Sequence, residues 1–365
     1  MKIISLVLLV MLLVDWRLAA ESVAEVTSHK ILPSSITATN KSTTKPAPTA
    51  PLVKMTSQAK NPFCDALLPV PKSAIFKMDG YYLWDPSVIK VGDNYHLFVS
   101  RWPESNGMSG WMKSDVIRAV SKSLFGPYDF AGVVLDPRHH PWAKQGIANP
   151  KVMRVGNRFL LHYLGIPNWQ TGFAFADNIE GPWVVVENPV LPTMNASMLI
   201  KPDGRVYAVG KFKINSKTLN KWDALMRAYE ADDILGPYRV VGDNGNRLPN
   251  GFQLEDPAIW WNNNQYNLLC TDWQGKITGI NKAVVYYTSK DGIHYQLFSD
   301  VPVWSQNNLI PIEAGEGLKV DRVERPEVFR DSDGEVVAIL AAVQLDKAKA
   351  YIVIRPVSHF PPQIK

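Results

Sequence analysis

The chain has 365 residues, a formal net charge of +5 and two cysteines. No run of basic residues accompanies this mild positive charge, so the composition gives no support for nucleic-acid binding. Two cysteines exclude a disulfide-rich scaffold, and no Cys/His cluster has the spacing of a zinc site. Length alone suggests two domains, although a single closed β architecture also reaches this size.

The first 24 residues have the pattern of a secretory signal peptide. Lys2 precedes an apolar run over residues 3–14, and small residues follow at Ala19-Ala20 and Ser22-Val23-Ala24. The apolar run is short for a membrane span. We therefore expect export to a secreted or periplasmic location, with no membrane span after cleavage. An uncleaved N-terminal anchor is the alternative.

Residues 25–61 differ in composition from the rest of the chain. They are rich in Ser, Thr, Ala, Lys and Pro. Such a segment cannot bury enough apolar surface to offset the entropy lost on ordering. The composition predicts a disordered linker over residues 25–61 and one folded domain over residues 62–365.

Five segments of that domain share one pattern. In each, a polar residue, usually followed by proline, opens a short apolar strand, and a turn rich in Gly, Asn or Asp leads into a second strand. The segments are Trp84–Ile89, Ala148–Val152, Met194–Leu199, Leu254–Trp261 and Glu324–Phe329. Five copies of one strand pair predict five equivalent units.

A second repeat marks the end of these units. Gly126-Pro127-Tyr128, Gly181-Pro182-Trp183 and Gly236-Pro237-Tyr238 are equally spaced, and Asp291-Gly292 stands where the next copy would fall. Each follows an alternating apolar run, which indicates a turn between a third and a fourth strand. The two repeats predict an all-β, five-bladed β-propeller with four-stranded antiparallel blades. A β-sandwich with coincidentally similar turns is the alternative. Residues 74–83 are expected either to pack outside the last blade or to run to the funnel.

Acidic residues stand at the start of two of the predicted innermost strands. Asp85 lies in the first unit, and Glu255 and Asp256 lie in the fourth. Because innermost strands line the central funnel, their first residues converge on one point. Glycoside hydrolysis requires one protonated and one ionised carboxyl group facing each other, and Asp85 with Glu255 or Asp256 would form such a pair. Alternatively, an Asp or Asn before proline only bonds the backbone at a strand start.

Over about residues 74–357, these motifs resemble the five-bladed-propeller glycosidases of glycoside hydrolase family 43. The resemblance extends to a poorly characterised, sucrase-like branch through Tyr95–Pro103, Asp272–Gly279 and Glu324-Arg325-Pro326. It implies that Asp85 is the general base and Glu255 the general acid. The residue that tunes the pKa of the acid is Asn195 here, where the family has Asp. Asp256 stands where the family has Gly, and would supply the missing negative charge.

Side-chain chemistry suggests further residues for the pocket, and the resemblance suggests an ion. The candidate substrate-binding residues are Trp84, Arg101, Asn149, Trp273, Glu324 and Arg325. An aromatic face stacks against a sugar and an Arg fork binds a carboxylate or sulfate, whereas Arg325 as an internal ion-pair partner of Glu324 is the alternative. No cofactor is expected to be required. The resemblance allows a structural calcium ion on the propeller axis, with unassigned ligands.

The two cysteines allow two interpretations. In an oxidising compartment Cys64 and Cys270 would pair, or Cys270 is a buried strand residue unrelated to Cys64. The second interpretation is favoured.

Two functions remain open on the sequence. The first is an exo-acting, inverting glycosidase that acts on plant or algal carbohydrate. The second is a propeller that binds glycans without cleaving them, because Asn195 replaces an acid.

Overall fold

A computed structural model describes residues 62–213, 224–242, 254–307, 309–347 and 349–358. The expected signal peptide and linker lie outside these residues. The described chain begins with a short helix, α1 (Pro62–Ala66), and a 3-10 turn over Lys72–Ala74. Among the described residues, no helix is long and apolar enough to cross a bilayer.

Five four-stranded antiparallel sheets form the blades of a β-propeller, so the predicted fold class is confirmed. After the two-residue strand β1 (Ile75–Phe76), blade 1 consists of β2 (Tyr81–Val91), β3 (Asn94–Pro103), β4 (Asp115–Ser121) and β5 (Asp129–Leu135). Blade 2 consists of β6 (Gly146–Val155), β7 (Arg158–Ile166), β8 (Gln170–Ala176) and β9 (Val184–Val185). Short 3-10 turns over Glu104–Asn106, Met108–Lys113 and Pro137–His139 lie within blade 1 and between these blades.

Blades 3 and 4 repeat the same order from the axis outward. Blade 3 consists of β10 (Met194–Ile200), β11 (Val206–Lys213), β12 (Ala224–Ala231) and β13 (Arg239–Val240). Blade 4 consists of β14 (Leu254–Asn262), β15 (Gln265–Asp272), β16 (Ala283–Ser289) and β17 (Gln296–Leu297). A small two-stranded ribbon, β18 (Ile310–Pro311) and β19 (Gly317–Leu318), follows blade 4.

Blade 5 joins the two ends of the domain. It consists of β20 (Arg322–Arg330), β21 (Val336–Leu345), β22 (Lys349–Pro356) and, as its outer strand, β1. Ile75 pairs with Val353, and Phe76 pairs with Ile352. The expectation that residues 74–83 pack outside the last blade is therefore confirmed for β1. Tyr81–Leu83 instead begin the innermost strand of blade 1.

The core lies between the blades, because each blade packs a face against each neighbour. Strand β21 is buried along nearly its whole length, from Val336 to Gln344. Its sequence is an apolar run rather than an alternation, as expected for a strand covered on both faces. This dry packing holds the innermost strands in fixed positions around the axis.

The Gly-Pro-aromatic turns lie between the third and fourth strands, as predicted. In blade 1, the Gly126 amide donates to Ser123 O at 3.1 Å and Tyr128 OH donates to Leu124 O at 3.0 Å. The Tyr238 hydroxyl makes the equivalent bond to Ile234 O at 2.7 Å.

The two cysteines are not joined by a disulfide. The Cys64 thiol donates to Pro302 O at 2.7 Å, and Cys270 is buried in blade 4. The favoured interpretation, in which the two residues are unrelated, is confirmed.

Candidate active site

Every innermost strand carries a β-bulge near its start, at the same place in each blade. One residue of each bulge has a positive φ, and we call these five residues the axial ring. They are Asp85 (57°), Asn149 (52°), Asn195 (51°), Asp256 (56°) and Arg325 (59°). Asn and Asp are enriched in this left-handed region, and Arg is uncommon there. A bulge re-aims a side chain, and here it brings residues of different blades together.

Hydrogen bonds connect the axial ring across the blade boundaries. Asn149 Nδ2 donates to Asn195 Oδ1, and Asn195 Nδ2 donates to Asp256 Oδ1 at 3.0 Å. Arg325 Nη1 donates to Asp256 Oδ1 and, at 2.9 Å, to Asn149 Oδ1. Arg325 Nε lies 3.1 Å from Asp85 Oδ1. One guanidinium on blade 5 therefore bridges blades 1, 2 and 4.

Second strands of the blades hold the two ring carboxylates from behind. The Ser100 hydroxyl donates to Asp85 Oδ2 at 2.6 Å. The backbone N–H of Asn149, on the innermost strand of blade 2, donates to the same oxygen at 3.0 Å. The Thr271 hydroxyl donates to Asp256 Oδ2 at 3.0 Å. Ser100 and Thr271 lie directly across the ladder from the residues preceding Asp85 and Asp256. Neither residue was identified from the sequence, although each is a polar residue that directly follows the apolar run of its second strand.

The axial ring closes the central channel. Its side chains and the adjoining prolines leave a cavity of about 10 Å³, which is at the lower limit for one water molecule. A second cavity, of about 500 Å³, is lined mainly by the later residues of the same strands. A molecule entering from the side where the strands begin cannot pass the ring.

A second set of residues precedes the axial ring by one position, and we call it the mouth ring. It consists of Trp84, Ala148, Met194, Glu255 and Glu324. Only its two glutamates are ionisable, and they lie on the adjacent blades 4 and 5. Both are buried, with 6% and 2% of their surface exposed.

Three cations that the sequence interpretation missed surround these glutamates. Lys211 Nζ, from the second strand of blade 3, contacts Glu255 Oε1. Arg322 Nη1 lies 3.2 Å from Glu324 Oε1. Lys282 interacts electrostatically with both glutamates. Lys211 lies across the ladder from Met194 of its own blade, so no local pattern pairs it with Glu255.

Burial dominates the ionisation of the site. It raises the pKa of Asp85, although Arg325, Ser100 and the Asn149 amide oppose the shift. Burial also raises the pKa of Glu324 to about 7, against the opposing effect of Arg322 and Arg325. Burial alone would lower the pKa of Arg325, but Asp256 and Asp85 outweigh it and raise that pKa. The site therefore contains a permanent cation and a carboxyl group that titrates near neutrality.

The loop after β15 carries Trp273 to this region. The Asp272 carboxylate accepts bonds of 3.0 Å from the amides of Lys276, Ile277 and Thr278, which fixes the loop. Lys282 Nζ lies 4.7 Å from the centre of the Trp273 ring. Burial, followed by the nearby Arg322, lowers the pKa of Lys282. Trp273 is half-buried.

The donor set on the axis does not fit a calcium ion. Calcium requires six to eight oxygen ligands, and the ring oxygens of Asp85, Asn149 and Asp256 already face the Arg325 guanidinium. A second cation among them would be repelled by that charge. Elsewhere in the described ranges, no group of three His, Cys, Asp or Glu side chains is arranged to hold a metal.

The structure brings most of the predicted site residues together, with two exceptions. Asp85, Asn149, Asn195, Asp256 and Arg325 form the axial ring, and Glu255 and Glu324 lie in the mouth ring. Trp84 also belongs to the mouth ring, but its side chain packs among the apolar side chains of the hydrophobic core and not among the polar ring residues. Arg101 pairs with Asp115 at 2.5 Å and stacks 4.6 Å from the Tyr81 ring centre, on the side of blade 1. The alternative pairing of Arg325 with Glu324 is replaced by ion pairs with Asp85 and Asp256.

No family model matches this sequence, and no curated protein matches it. Solved structures do share its fold. A thermostable family-43 glycoside hydrolase superposes with a TM-score of 0.57 at 15% identity, over 82% of this chain and 98% of that chain. A GH43 β-xylosidase/α-arabinofuranosidase from a compost microbial metagenome, in complex with xylotriose, gives 0.56 at 15% identity, over 79% and 93%. A family 117 glycoside hydrolase of the marine bacterium Zobellia galactanivorans gives 0.55 at 16% identity, over 79% and 87%. The resemblance to five-bladed glycoside hydrolase propellers is confirmed for the fold.

Proposed function

We propose that this protein is an exported glycoside hydrolase that cleaves O-glycosidic bonds of plant or algal oligosaccharides or polysaccharides. One observation carries the proposal. Four buried carboxyl side chains, Asp85, Glu255, Asp256 and Glu324, surround Arg325 where the innermost strands begin, and each of them raises its pKa. A structural scaffold has no need to bury four acids around one cation, because each buried charge is costly. Glycoside hydrolysis does need paired carboxyl groups.

The proposed reaction is a single displacement that inverts the anomeric centre. Asp85 accepts a proton from the attacking water, and a mouth-ring glutamate gives a proton to the leaving oxygen. Inversion needs about 6.5–9.5 Å between the two carboxyl groups, so that a water molecule fits between them. Both mouth-ring glutamates lie on blades other than that of Asp85, so acid and base would come from different walls of the funnel, which supports such a spacing. Asn195 and Asn149 would orient sugar hydroxyls.

The closed channel supports action at chain ends. Since the space among the axial-ring side chains is only about 10 Å³, a saccharide would approach the ring from one side, and the side where the innermost strands begin is the one that carries Glu255 and Glu324. This favours a terminal sugar unit over an internal one. Export rests on the signal-peptide pattern of residues 1–24.

A panel of substrates tests the proposal. Aryl xylosides and arabinofuranosides come first, since structural neighbours are xylosidase/arabinofuranosidase enzymes or hold xylotriose. Plant and algal oligosaccharides follow. We expect release of terminal sugars, and NMR of the first product is expected to show the inverted anomer. Absence of turnover on the whole panel would contradict the function, and a retained anomer would contradict the mechanism.

The non-catalytic alternative has its own support. Asp85, the proposed base, faces the Arg325 guanidinium, and Asn195 provides no charge at the pKa-tuning position. A glycan-binding propeller would bind oligosaccharides of the panel in isothermal titration calorimetry and release no sugar. Binding with turnover identifies the enzyme.

A further inference from the structure

The mouth ring offers two glutamates for the role of acid. Glu255 and Glu324 each stand immediately before the positive-φ residue of their bulge. They occupy equivalent positions on adjacent blades, so both are oriented by the same backbone geometry. The sequence motif alone favours Glu255, because it lies in blade 4. Their surroundings distinguish them.

Glu255 is an ion-pair partner. Lys211 Nζ contacts its Oε1 atom, and the side chains of the two residues are 16% and 8% exposed. This contact holds one of the two Glu255 carboxyl oxygens against the Lys211 ammonium group. The ion pair would have to open before Glu255 could carry a proton to a substrate.

Glu324 is more deeply buried and less tightly paired. Its side chain is 3% exposed, and its contact with Arg322 is a single bond of 3.2 Å to a guanidinium that is itself 27% exposed. Two nitrogens of the neighbouring Arg325 face other residues: Nη1 donates to Asp256 and Asn149, and Nε lies beside Asp85. Arg325 is thus ion-paired with carboxylates other than that of Glu324.

We propose that Glu324, rather than Glu255, is the general acid. This inference rests on the proposed function. The Glu324 carboxyl proton moves to the glycosidic oxygen, and the bond between that oxygen and the anomeric carbon breaks, its electron pair remaining with the leaving oxygen. Water bonds to the anomeric carbon, and its proton moves to the Asp85 carboxylate. Exchange with solvent returns both groups to their starting states.

The charges around Glu324 agree with this role. Burial raises its pKa to about 7, Asp256 adds to the rise, and Arg322, Arg325 and Lys282 oppose it. Glu324 is therefore largely protonated below neutral pH, as an acid catalyst must be.

Leaving-group dependence provides the first test. Glu324→Gln and Glu255→Gln are compared on glycosides whose aglycones range from dinitrophenol to alkyl alcohols. For Glu324→Gln we expect a loss of kcat/KM of about 10²–10⁴-fold on alkyl glycosides and little loss on dinitrophenyl glycosides. For Glu255→Gln we expect a similar change on every substrate. The reverse pattern would overturn the proposal.

Titration provides a test that needs neither glutamate variant to fold. The alkaline limb of the kcat/KM profile is expected near pH 7. Because Arg322 lowers the pKa of Glu324, Arg322→Gln should move that limb to higher pH. Lys211→Gln removes the partner of Glu255 and should leave the limb in place. A limb that moves with Lys211→Gln and not with Arg322→Gln would assign the acid to Glu255. Inactivity of the wild-type protein on all substrates would instead overturn the proposed function itself.

Discussion

At the scale of single residues, Arg325 is the one cation of the axial ring. It lies between the carboxylates of Asp85 and Asp256, and its side chain is 13% exposed. Removing one partner of a buried ion pair leaves an uncompensated buried charge, which typically costs about 3–5 kcal/mol. We expect Arg325→Met to lower the free energy of unfolding by about this amount in urea denaturation.

Arg154→Met is the matched control for this change. Arg154 lies on an innermost strand too, but it is exposed and stacks 4.5 Å from the Phe159 ring centre. Its loss should change the free energy of unfolding by about 0.5 kcal/mol or less. Equal effects of the two variants would show that the Arg325 ion pairs contribute little to stability.

The Arg325 guanidinium also occupies the place of the calcium ion that the sequence resemblance allowed. Since Arg325 occupies the ring oxygens, we expect the melting temperature to be the same with and without EDTA. A fall of several degrees in EDTA would contradict the assignment of the axial charge to Arg325.

Asp85 is predicted to be essential for turnover. Asp85→Asn keeps the shape of the side chain but removes the group that accepts the proton from water, so kcat should fall by about 10²–10⁴-fold on all substrates. The loss should not depend on the leaving group. Asp115→Asn is the control and should leave kcat unchanged. Asp115, like Asp85, is paired with an arginine, in its case Arg101, but it lies outside both rings. Full activity of Asp85→Asn would rule out its role as base.

At the scale of elements, two buried histidines must stay neutral, one in blade 2 and one in the segment that leads into it from blade 1. His140 Nδ1 accepts from the Ala143 amide at 2.9 Å, and its Nε2 lies 2.7 Å from Tyr163 OH. Burial lowers the pKa of His140 to about 4 and that of His162, on β7, to about 3. Protonation of either ring would place a charge in the interior of the domain.

These shifts predict a loss of stability in acid. A histidine with a lowered folded-state pKa stabilises the protein above pH 6.5, and that contribution falls as pH decreases through the folded-state value. Each histidine contributes a slope of about 1.4 kcal/mol per pH unit between pH 6.5 and its folded-state pKa. His140→Gln should therefore flatten the dependence of the unfolding free energy on pH between 6 and 4.

His139→Gln is the matched control, because the neighbouring His139 is exposed. Comparison of the two variants also removes the opposite contribution of Glu324. Its raised pKa makes the protein less stable as pH rises from about 4.5 to about 7. Parallel curves for wild type and His140→Gln would contradict the assignment.

At the scale of the whole molecule, the N-terminal segment of the domain closes the propeller. Phe63 packs 5.5 Å from the Tyr286 ring centre in blade 4, the Val70 amide donates to Pro311 O at 2.8 Å, and β1 completes blade 5. Phe63, Val70 and Phe76 are buried, and each such side chain contributes roughly 1.5–3 kcal/mol.

Two truncations test this closure. Removal of residues 1–61 should leave the melting temperature and activity unchanged, because their composition cannot form a core. Removal of residues 1–77 should destabilise the domain by several kcal/mol and leave β22 as an open sheet edge. Calorimetry of both proteins measures the difference. A large fall for the shorter truncation would show that residues before 62 pack on the domain.

Much of the fold was predictable from sequence because its unit is local. A strand pair, its turn and the Gly-Pro-aromatic turn fit within one blade, so each copy states the same structure independently. A polar residue, followed by proline in every blade except blade 3, marks the start of each innermost strand. This pattern placed Asp85, Asn149, Asn195, Asp256 and Arg325 at equivalent positions.

The contacts among these five side chains depend on the closure of the five blades around the axis. Arg325 reaches Asp85 and Asp256 only because blade 5 lies between blades 4 and 1, and Lys211 reaches Glu255 only across a blade boundary. The burial of Trp84, the tie of Arg101 to Asp115 and the pKa of Glu324 follow from packing between blades. The sequence by itself determined the repeated unit and the residues at the axis, since these are local patterns. Tertiary structure alone decided their partners and charges, because both depend on contacts between residues far apart in the chain.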